Sequence, residues 1–199
     1  AGATTITGLQ ADLTDTSTAA QNITVADVAT ITLGLGSDTT GTDAIVATAL
    51  TDGDVLTLTG ANDATISFDE GDITASAYTG GLTVTGTGTA GQFTTGTASS
   101  SISSTGTTAI VATALADGQT LTTTGNGALT ITGLQANLAV NDARSAAHSV
   151  TAAAVANLTV AMGTSTSGTD TIVATALTDG QVLTIVSVPD ELVPMATVR

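Results

Sequence analysis

The sequence predicts an all-β protein, a β-solenoid built from three tandem repeats of about 60–65 residues. The hexapeptide IVATAL occurs at 45–50, 110–115 and 172–177, so its three copies recur at nearly equal intervals. Each copy is followed by a turn and an alternating tail: TDGDVLTLTG, ADGQTLTTTG and TDGQVLTIVS. A second block, TITGLQADL at 5–13, returns as TITGLQANL at 130–138. Self-similarity at a nearly fixed period is typical of repeat architectures, whose units stack into one continuous core.

Alternation of threonine with aliphatic residues predicts the strands. Runs such as TIT, TLT and TVT place aliphatic side chains on one face of a strand and threonine on the other. Threonine supplies 46 of the 199 residues, whereas the only aromatic residues are Phe68, Tyr78 and Phe93. The core must therefore stack small β-branched side chains, which favour strands. Two alanine-rich segments, 17–28 and 143–157, are exceptions that are able to form helical turns.

The repeats also predict the domain organisation. Repeat 1 covers residues 1–60, repeat 2 covers 61–125 and repeat 3 covers 126–187, while 188–199 holds both prolines and no repeat character. We interpret this last segment as a C-terminal cap, a linker or a strand exchanged with a partner. Each repeat divides into pieces of about 20 residues, a length that suits one coil of a solenoid.

The dipeptide Asp-Gly keeps a second fold open. It occurs at 52–53, 117–118 and 179–180, each time between two strand-like runs. Asp-Gly in that position is a strong signal for a β-hairpin, and hairpins belong to antiparallel sheets. Small antiparallel β-sandwich modules are therefore the alternative to the solenoid.

The charge of the chain limits its partners. Seventeen acidic residues face only Arg144 and Arg199, which gives a formal charge of −15 at pH 7. Nucleic acids and anionic membranes require clusters of Lys and Arg, so neither is expected as a partner. Cysteine is absent, which excludes disulfides, thiolate metal sites and cysteine nucleophiles. The acidic surface either keeps the protein soluble or binds cations, above all Ca²⁺.

Two kinds of acidic segment are candidate calcium sites. The first is NDATISFDEGD at 62–72, and the second is GSDTTGTD at 36–43 with its counterpart GTSTSGTD at 163–170. Ca²⁺ takes oxygen ligands from Asp, Glu and backbone carbonyls. Neither segment has the spacing of an EF-hand loop or of a calcium-binding nonapeptide repeat. The predicted ligands are Asp63, Asp69, Glu70, Asp72, Asp43 and Asp170.

The sequence carries no motif that predicts catalysis. His148 is the only histidine; Asp142 lies near it and serines are frequent, but no G-x-S-x-G nucleophile motif occurs. We therefore interpret His148 as a surface residue in a loop. Pectate-lyase-like solenoids use basic residues to remove protons and to bind acidic sugars, and this chain has almost none. A polysaccharide-active enzyme is accordingly the third hypothesis, behind two non-enzymatic ones.

Ranks of outward threonine suggest a ligand-binding surface. A flat solenoid face with Thr-x-Thr on every coil is able to bind ice or another extended surface. In this chain TIT, TLT, TVT and TGT are frequent, but their spacing along the sequence is irregular. A ligand-binding solenoid module is thus the alternative function.

The IVATALTDG blocks and the lysine-free background rich in Thr, Gly, Ala and Asp resemble repeat regions of large secreted bacterial surface proteins, namely β-strand-repeat adhesins and S-layer proteins. The resemblance covers the chain except 188–199. It implies a secreted, extracellular or cell-surface protein with a structural or adhesive role, self-assembly into a filament or layer, and frequently bound Ca²⁺. Its partners would be copies of itself or a longer parent chain, and an extracellular surface. For contacts between copies we expect an apolar, extended tail to contribute Val188, Leu192, Val193, Met195 and Val198.

Overall fold

The computed structural model describes residues 3–17, 19–36, 41–88, 91–140, 147–155, 157–162 and 169–187. Within these ranges the regular structure consists of strands only, and no helix is long and apolar enough to cross a membrane. In chain order the strands are β1 (Thr5–Leu9), β2 (Leu13–Thr14), β3 (Asn22–Val25), β4 (Thr30–Leu35), β5 (Asp43–Ala47), β6 (Val55–Gly60), β7 (Ala64–Phe68), β8 (Asp72–Tyr78), β9 (Leu82–Gly86), β10 (Gln92–Thr94), β11 (Ser100–Ser104), β12 (Thr108–Val111), β13 (Thr120–Thr124), β14 (Leu129–Leu134), β15 (Asn137–Val140), β16 (His148–Ala152), β17 (Asn157–Met162), β18 (Thr171–Val173) and β19 (Val182–Ser187).

These strands form two parallel sheets. Sheet A contains the ten odd-numbered strands and sheet B the nine even-numbered strands, each stacked in chain order. Consecutive strands alternate between the sheets, so the chain winds as a β-solenoid. Thr5 pairs with Asn22 and Asn157 pairs with Val182, so the coil that begins at Thr5 is shorter than the one that begins at Asn157. The predicted solenoid is confirmed, and the antiparallel alternative is wrong because every described ladder is parallel.

Aliphatic ladders fill the space between the sheets. Inward residues pair from strand to strand, and each member of the two central ranks is 2% exposed or less. Burial of each such side chain contributes about 1.5–3 kcal/mol. In sheet A this rank is Ile23, Ile45, Ile66, Val84 and Ile102. In sheet B it is Ile31, Leu56, Ile73, Phe93, Ile110, Ile131 and Val150.

The three aromatic side chains lie in the middle of the stack and are also buried. Phe68, Tyr78 and Phe93 are each 1% exposed or less. Phe68 pairs with Gly86, and a Cβ at Gly91 would lie only 2.4 Å from the Phe68 ring. The two glycines therefore leave the space that this ring occupies in a core otherwise made of small residues.

The Asp-Gly dipeptides form corners between the two sheets. In the first copy the chain leaves β5 in sheet A and enters β6 in sheet B. The Asp54 N–H donates to the Thr51 carbonyl at 3.0 Å, and Gly53 has a φ of 89°. Equivalent bonds of 3.1 Å close the other two corners. The dipeptide therefore predicts a turn correctly, but this turn joins strands of different sheets and is no hairpin.

A side chain at the end of the first and third corners reinforces the turn. Asp54 Oδ2 accepts hydrogen bonds from the N–H and the hydroxyl of Thr51, at 2.8 and 2.9 Å. These bonds hold the pKa of the Asp54 carboxyl below its usual value. In the third copy Gln181 Oε1 accepts a bond from the Thr178 N–H at 2.8 Å. Asp54 and Gln181 thus have the same structural role, whereas Gln119 in the second copy accepts hydrogen bonds from the N–H and the hydroxyl of Ser99 instead.

The sequence repeats are not confined to one sheet. IVATAL begins in β5 of sheet A in its first copy, but in β12 and β18 of sheet B in the other two. Similarly, TITGLQ lies in β1 of sheet A and in β14 of sheet B. The same segment therefore forms a strand in either sheet, because both sheets require inward aliphatic and outward polar residues.

Both alanine-rich segments contain a strand in their described parts. β3 lies within 17–28 and β16 within 143–157, so the expectation of helical turns is wrong there. Ile23 and Val25 face the core in β3, as Val150 and Ala152 do in β16. Burial of alternate side chains against the neighbouring coils outweighs the helix propensity of alanine, which is a small effect per residue.

Candidate functional site

Asp43 is a buried carboxylate at a corner of the solenoid, where β5 begins. Its Oδ1 accepts a hydrogen bond from the Gln21 N–H at 2.7 Å, and its Oδ2 accepts one from Asn62 Nδ2 at 2.9 Å. Gln21 belongs to the preceding coil and Asn62 to the following one. The carboxylate therefore joins three coils, and these bonds offset the cost of removing its charge from water.

The Tyr78 hydroxyl extends this polar cluster. It donates a hydrogen bond to the Asn62 carbonyl from the end of β8. Burial, together with the negative charges of Asp43 and Asp63, raises the pKa of the Tyr78 phenol well above its usual value. Tyr78 therefore stays protonated as a donor and links sheet B to the polar corner of sheet A.

Asp170 repeats the capping role of Asp43 in the third sequence repeat, where it also stands two residues before IVATAL. Its Oδ1 accepts a hydrogen bond from the His148 N–H at 2.9 Å and lies 2.8 Å from His148 Nδ1. His148 begins β16 and is 3% exposed, so its assignment to a surface loop is wrong. Its Nε2 is buried without a hydrogen-bond partner among the described residues. Asp142 lies outside those residues.

The densest acidic patch is divided by β7. Asp63 precedes this strand, whereas Asp69 and Glu70 follow it and Asp72 begins β8. Three of these carboxylates accept a hydrogen bond from the next coil, and Glu70 is exposed. The bonds join Asp63 Oδ1 to the Gly81 N–H (2.8 Å), Asp69 Oδ1 to the Thr87 hydroxyl (2.9 Å) and Asp72 Oδ1 to the Gln92 N–H (2.9 Å).

Five of the six predicted calcium ligands, all except Glu70, thus have structural partners. Within the described part of the chain, no three Asp, Glu or His side chains come together as a metal-binding group. Four of them instead accept hydrogen bonds from backbone N–H groups at corners, where the ladder alone leaves donors unpaired, and Asp69 accepts one from a hydroxyl. Calcium binding stays a prediction. The capping role was not predicted, although aspartates placed directly before alternating runs are a sequence signal for it.

A regular hydroxyl face lies on four neighbouring strands of sheet A, β7, β9, β11 and β13. Its eight residues are exposed or half-exposed and form two ranks in register. Neighbouring strands lie about 4.8 Å apart and alternate residues about 6.6 Å apart along a strand, so the hydroxyls form a grid. Coil lengths vary, which is why these motifs look irregular along the sequence. The hydroxyl face consists of Thr65, Thr83, Ser101 and Thr122 in one rank and Ser67, Thr85, Ser103 and Thr124 in the other.

Both ends of the stack have open strand edges in the described chain. β1 and β2 form one end and β18 and β19 the other, and each pairs with a described strand on one side only. Three valines are exposed near the second end: Val173 at 37%, Val182 at 52% and Val186 at 51%. Thr120 and Thr124 occupy the positions of the last two in the preceding repeat. This change from threonine to valine is visible in the sequence and signals the exposed apolar surface at this end, which was not predicted.

The predicted assembly residues of the C-terminal segment lie outside the described residues, as does all of 188–199. Comparison of the chain with protein-family models, with curated proteins and with solved structures found no match. Its function therefore has to be inferred from the surfaces and edges of the solenoid itself.

Proposed function

We propose that the chain is a structural repeat protein of a bacterial cell surface, which acts without catalysis by assembling with copies of itself into a filament or layer. The observation that supports this most is the open strand edge at each end of the described stack. Such an edge exposes unpaired N–H and C=O groups to which another chain is able to add a strand. Contacts between unlike ends are heterologous and extend into open filaments.

Export to the extracellular surface is the part of this proposal that depends on sequence character. The acidic, lysine-free and threonine-rich repeats resemble those of secreted adhesins and S-layer proteins. We take the three sequence repeats as the units of the array and 188–199 as a segment that adds apolar contact between copies. Extracellular Ca²⁺ would reduce the repulsion between chains that each carry a formal charge of −15.

Sedimentation velocity over a range of protein concentrations tests the proposal. We expect the mean sedimentation coefficient to rise with concentration, and negative-stain images of the same samples to show rods longer than one molecule. A single monomer boundary at the highest soluble concentration, both with Ca²⁺ and with a chelator, would reject self-assembly.

The hydroxyl face supports a second candidate function, binding of ice or of another extended surface. Eight hydroxyl side chains in two ranks present a repeating pattern over four strands, and a repeating pattern is what a crystalline surface can match. This function requires the side of the stack, whereas assembly requires its ends.

A pair of lysine variants separates this candidate from assembly. Ser101→Lys interrupts the hydroxyl face on sheet A, whereas Thr130→Lys places the same charge at an exposed position on sheet B. If the face binds ice, the wild type and Thr130→Lys slow ice recrystallisation and Ser101→Lys does not. Equal activity of both variants, or an inactive wild type, would reject ice binding by this face.

A further inference from the structure

The coil at the N-terminal end is a near copy of a coil inside the stack. TITGLQADL at 5–13 forms β1 and begins β2, and TITGLQANL at 130–138 lies in β14 and β15. The two copies share their local conformation. Gly8 and Gly133 have φ values of 66° and 65°, and the register shifts at the same place in both strands.

The next-to-last residue of this segment, Asp12 in one copy and Asn137 in the other, accepts a hydrogen bond from the following coil in both copies. Asp12 Oδ1 accepts a hydrogen bond from the Thr32 N–H at 2.7 Å, and Asn137 Oδ1 accepts one from the Thr159 N–H at 3.1 Å. In each case the acceptor binds the following coil. The N-terminal coil therefore has the same local conformation and the same bond to the following coil as the internal one.

Inside the stack, this coil lies on a copy of IVATAL and its tail. β14 pairs with β12, with Ile131 opposite Ile110, and β15 pairs with β13, with Leu138 opposite Leu121. Backbone bonds fix the contact, including the Ala112 N–H to the Thr132 carbonyl at 2.9 Å. The internal coil thus shows which surface fits an IVATAL coil.

The third IVATAL coil, β18 and β19, has no described strand on its outer side. Ile172 and Leu183 are only partly buried there, whereas their counterparts Ile110 and Leu121 are fully buried. Aliphatic residues at the other end of the stack are likewise incompletely buried. Ile6, Leu9 and Leu13 are partly buried, while the equivalent residues Ile131, Leu134 and Leu138 are each 1% exposed or less.

We propose that the N-terminal coil of a second copy docks on the C-terminal coil of the first and repeats this internal contact. The proposal rests on the proposed self-assembly and names its joint. By equivalence with the internal pairs, Ile6 of one molecule lies opposite Ile172 of the other, and Leu13 lies opposite Leu183. The two apolar edges are then buried against each other.

The joint determines how successive molecules are related. β1 belongs to sheet A and β18 to sheet B, so sheet A of one molecule continues sheet B of the next. Successive molecules are thus rotated by about a half turn around the solenoid axis. This rotation is compatible with the fold because TITGLQ already forms a strand in either sheet.

Cysteine pairs test the joint, because the chain has no cysteine of its own. Thr5 and Thr171 are exposed, and their internal equivalents, Thr130 and Ala109, are direct partners. A variant with Thr5→Cys and Thr171→Cys is expected to form disulfide-linked multimers under mild oxidation. The matched control combines Thr5→Cys with Val173→Cys, which places the thiols in diagonal positions about 7–8 Å apart and beyond disulfide reach.

The result is read as a ladder on a non-reducing gel, with sedimentation of the unmodified chain measured in parallel. At least fivefold more multimer from the first pair than from the control supports the joint. Equal cross-linking of the two pairs, or none in a chain that still sediments as an assembly, overturns the joint but leaves self-assembly standing. A chain that sediments only as a monomer overturns both.

Discussion

Adjacent residues of the repeat differ sharply in burial, because side chains alternate along a strand. In the first IVATAL copy Ala47 is fully buried, Val46 is 39% exposed and Thr48 is exposed. The side of this segment that carries Val46 and Thr48 is therefore less buried than the side that carries Ala47. Ala49 and Leu50 depart from the alternation, with Ala49 exposed and Leu50 only 2% exposed, because the chain has left β5 and entered the corner.

Two aspartate substitutions at neighbouring positions measure this difference. Ala47→Asp places a charge at a fully buried position without a partner and is expected to destabilise the protein by several kcal/mol. Thr48→Asp remains in solvent, and its effect is expected to stay within about 0.5 kcal/mol. Thermal unfolding followed by circular dichroism compares the two, and equal melting temperatures would contradict the assigned faces.

Tyr78 is expected to make stability fall at alkaline pH. Below pH 10 the phenol is protonated in both states, but above it the unfolded chain releases this proton while the folded chain retains it. The folded state then binds more protons, so the free energy of unfolding decreases as pH rises. The chain has one tyrosine and neither lysine nor cysteine, which leaves few other groups to titrate there.

Tyr78→Phe isolates this contribution. It removes the bond to the Asn62 carbonyl and is expected to cost about 1 kcal/mol at neutral pH. Urea unfolding between pH 9 and pH 11 is expected to show a shallower loss of stability in the variant than in the wild type. Parallel pH dependences would show that the phenol of the folded protein ionises normally.

At the level of elements, the unit that recurs is a strand, an Asp-Gly corner and a strand. The same corner bonds form whether the unit passes from sheet A to sheet B or in the reverse direction. The corner is therefore a local structure, whereas the neighbours of each strand are provided by other coils. Two glycines with positive φ separate these effects: Gly53 is required only by the local conformation of the corner, whereas Gly60 also contacts a neighbouring coil.

Gly53→Ala and Gly60→Ala are expected to differ in stability. Gly53 has a φ of 89°, and a Cβ added there would have no atom within 4 Å. The only cost of alanine at this position is its unfavourable backbone conformation, about 1–2 kcal/mol of stability. Gly60 has a φ of 118°, but its Cβ would lie 1.6 Å from the Leu35 carbonyl oxygen, and the coil must shift at a further cost of about 1–3 kcal/mol. Urea unfolding measures both, and a larger loss for Gly53→Ala would contradict this account.

For the whole molecule, charge and edge structure act in opposite directions. A formal charge of −15 keeps copies apart, whereas in the proposed assembly the edge strands of the described stack and their half-buried aliphatic residues favour end-to-end contact. The repulsion reaches over a Debye length, about 10 Å at 0.1 M salt, while the contact is short-ranged. Assembly should therefore depend on ionic strength.

Association is expected to strengthen as NaCl is raised from about 0.01 to about 0.5 M, because the repulsion is screened and apolar contact is not. Deletion of 188–199 is expected to weaken it by removing the apolar contact that this segment is proposed to add between copies. Light scattering at fixed protein concentration measures both effects. Association that weakens with salt would point to ion pairs between the copies. Association that is unchanged by the deletion would show that 188–199 does not contribute to it.

The sequence by itself determined the properties that are periodic or local. Alternation of threonine and aliphatic residues identified an all-β chain, because burial on one face of a strand requires a period of two. Repeated IVATAL blocks indicated stacked units, and Asp-Gly located turns, because a turn depends on a few adjacent residues. The hairpins expected at these turns were wrong, since each turn joins strands of different sheets.

Only the tertiary structure decided which residues of different coils meet. Coil length varies along the stack, so the pairing of Thr65 with Thr83 and of Asp43 with Gln21 does not follow from a fixed spacing. For the same reason the hydroxyl face, the partners of the capping aspartates and the buried position of His148 were not readable from the linear sequence. Register between parallel strands depends on the path through two corners, and each residue gained or lost there changes the sequence separation between partners on neighbouring coils.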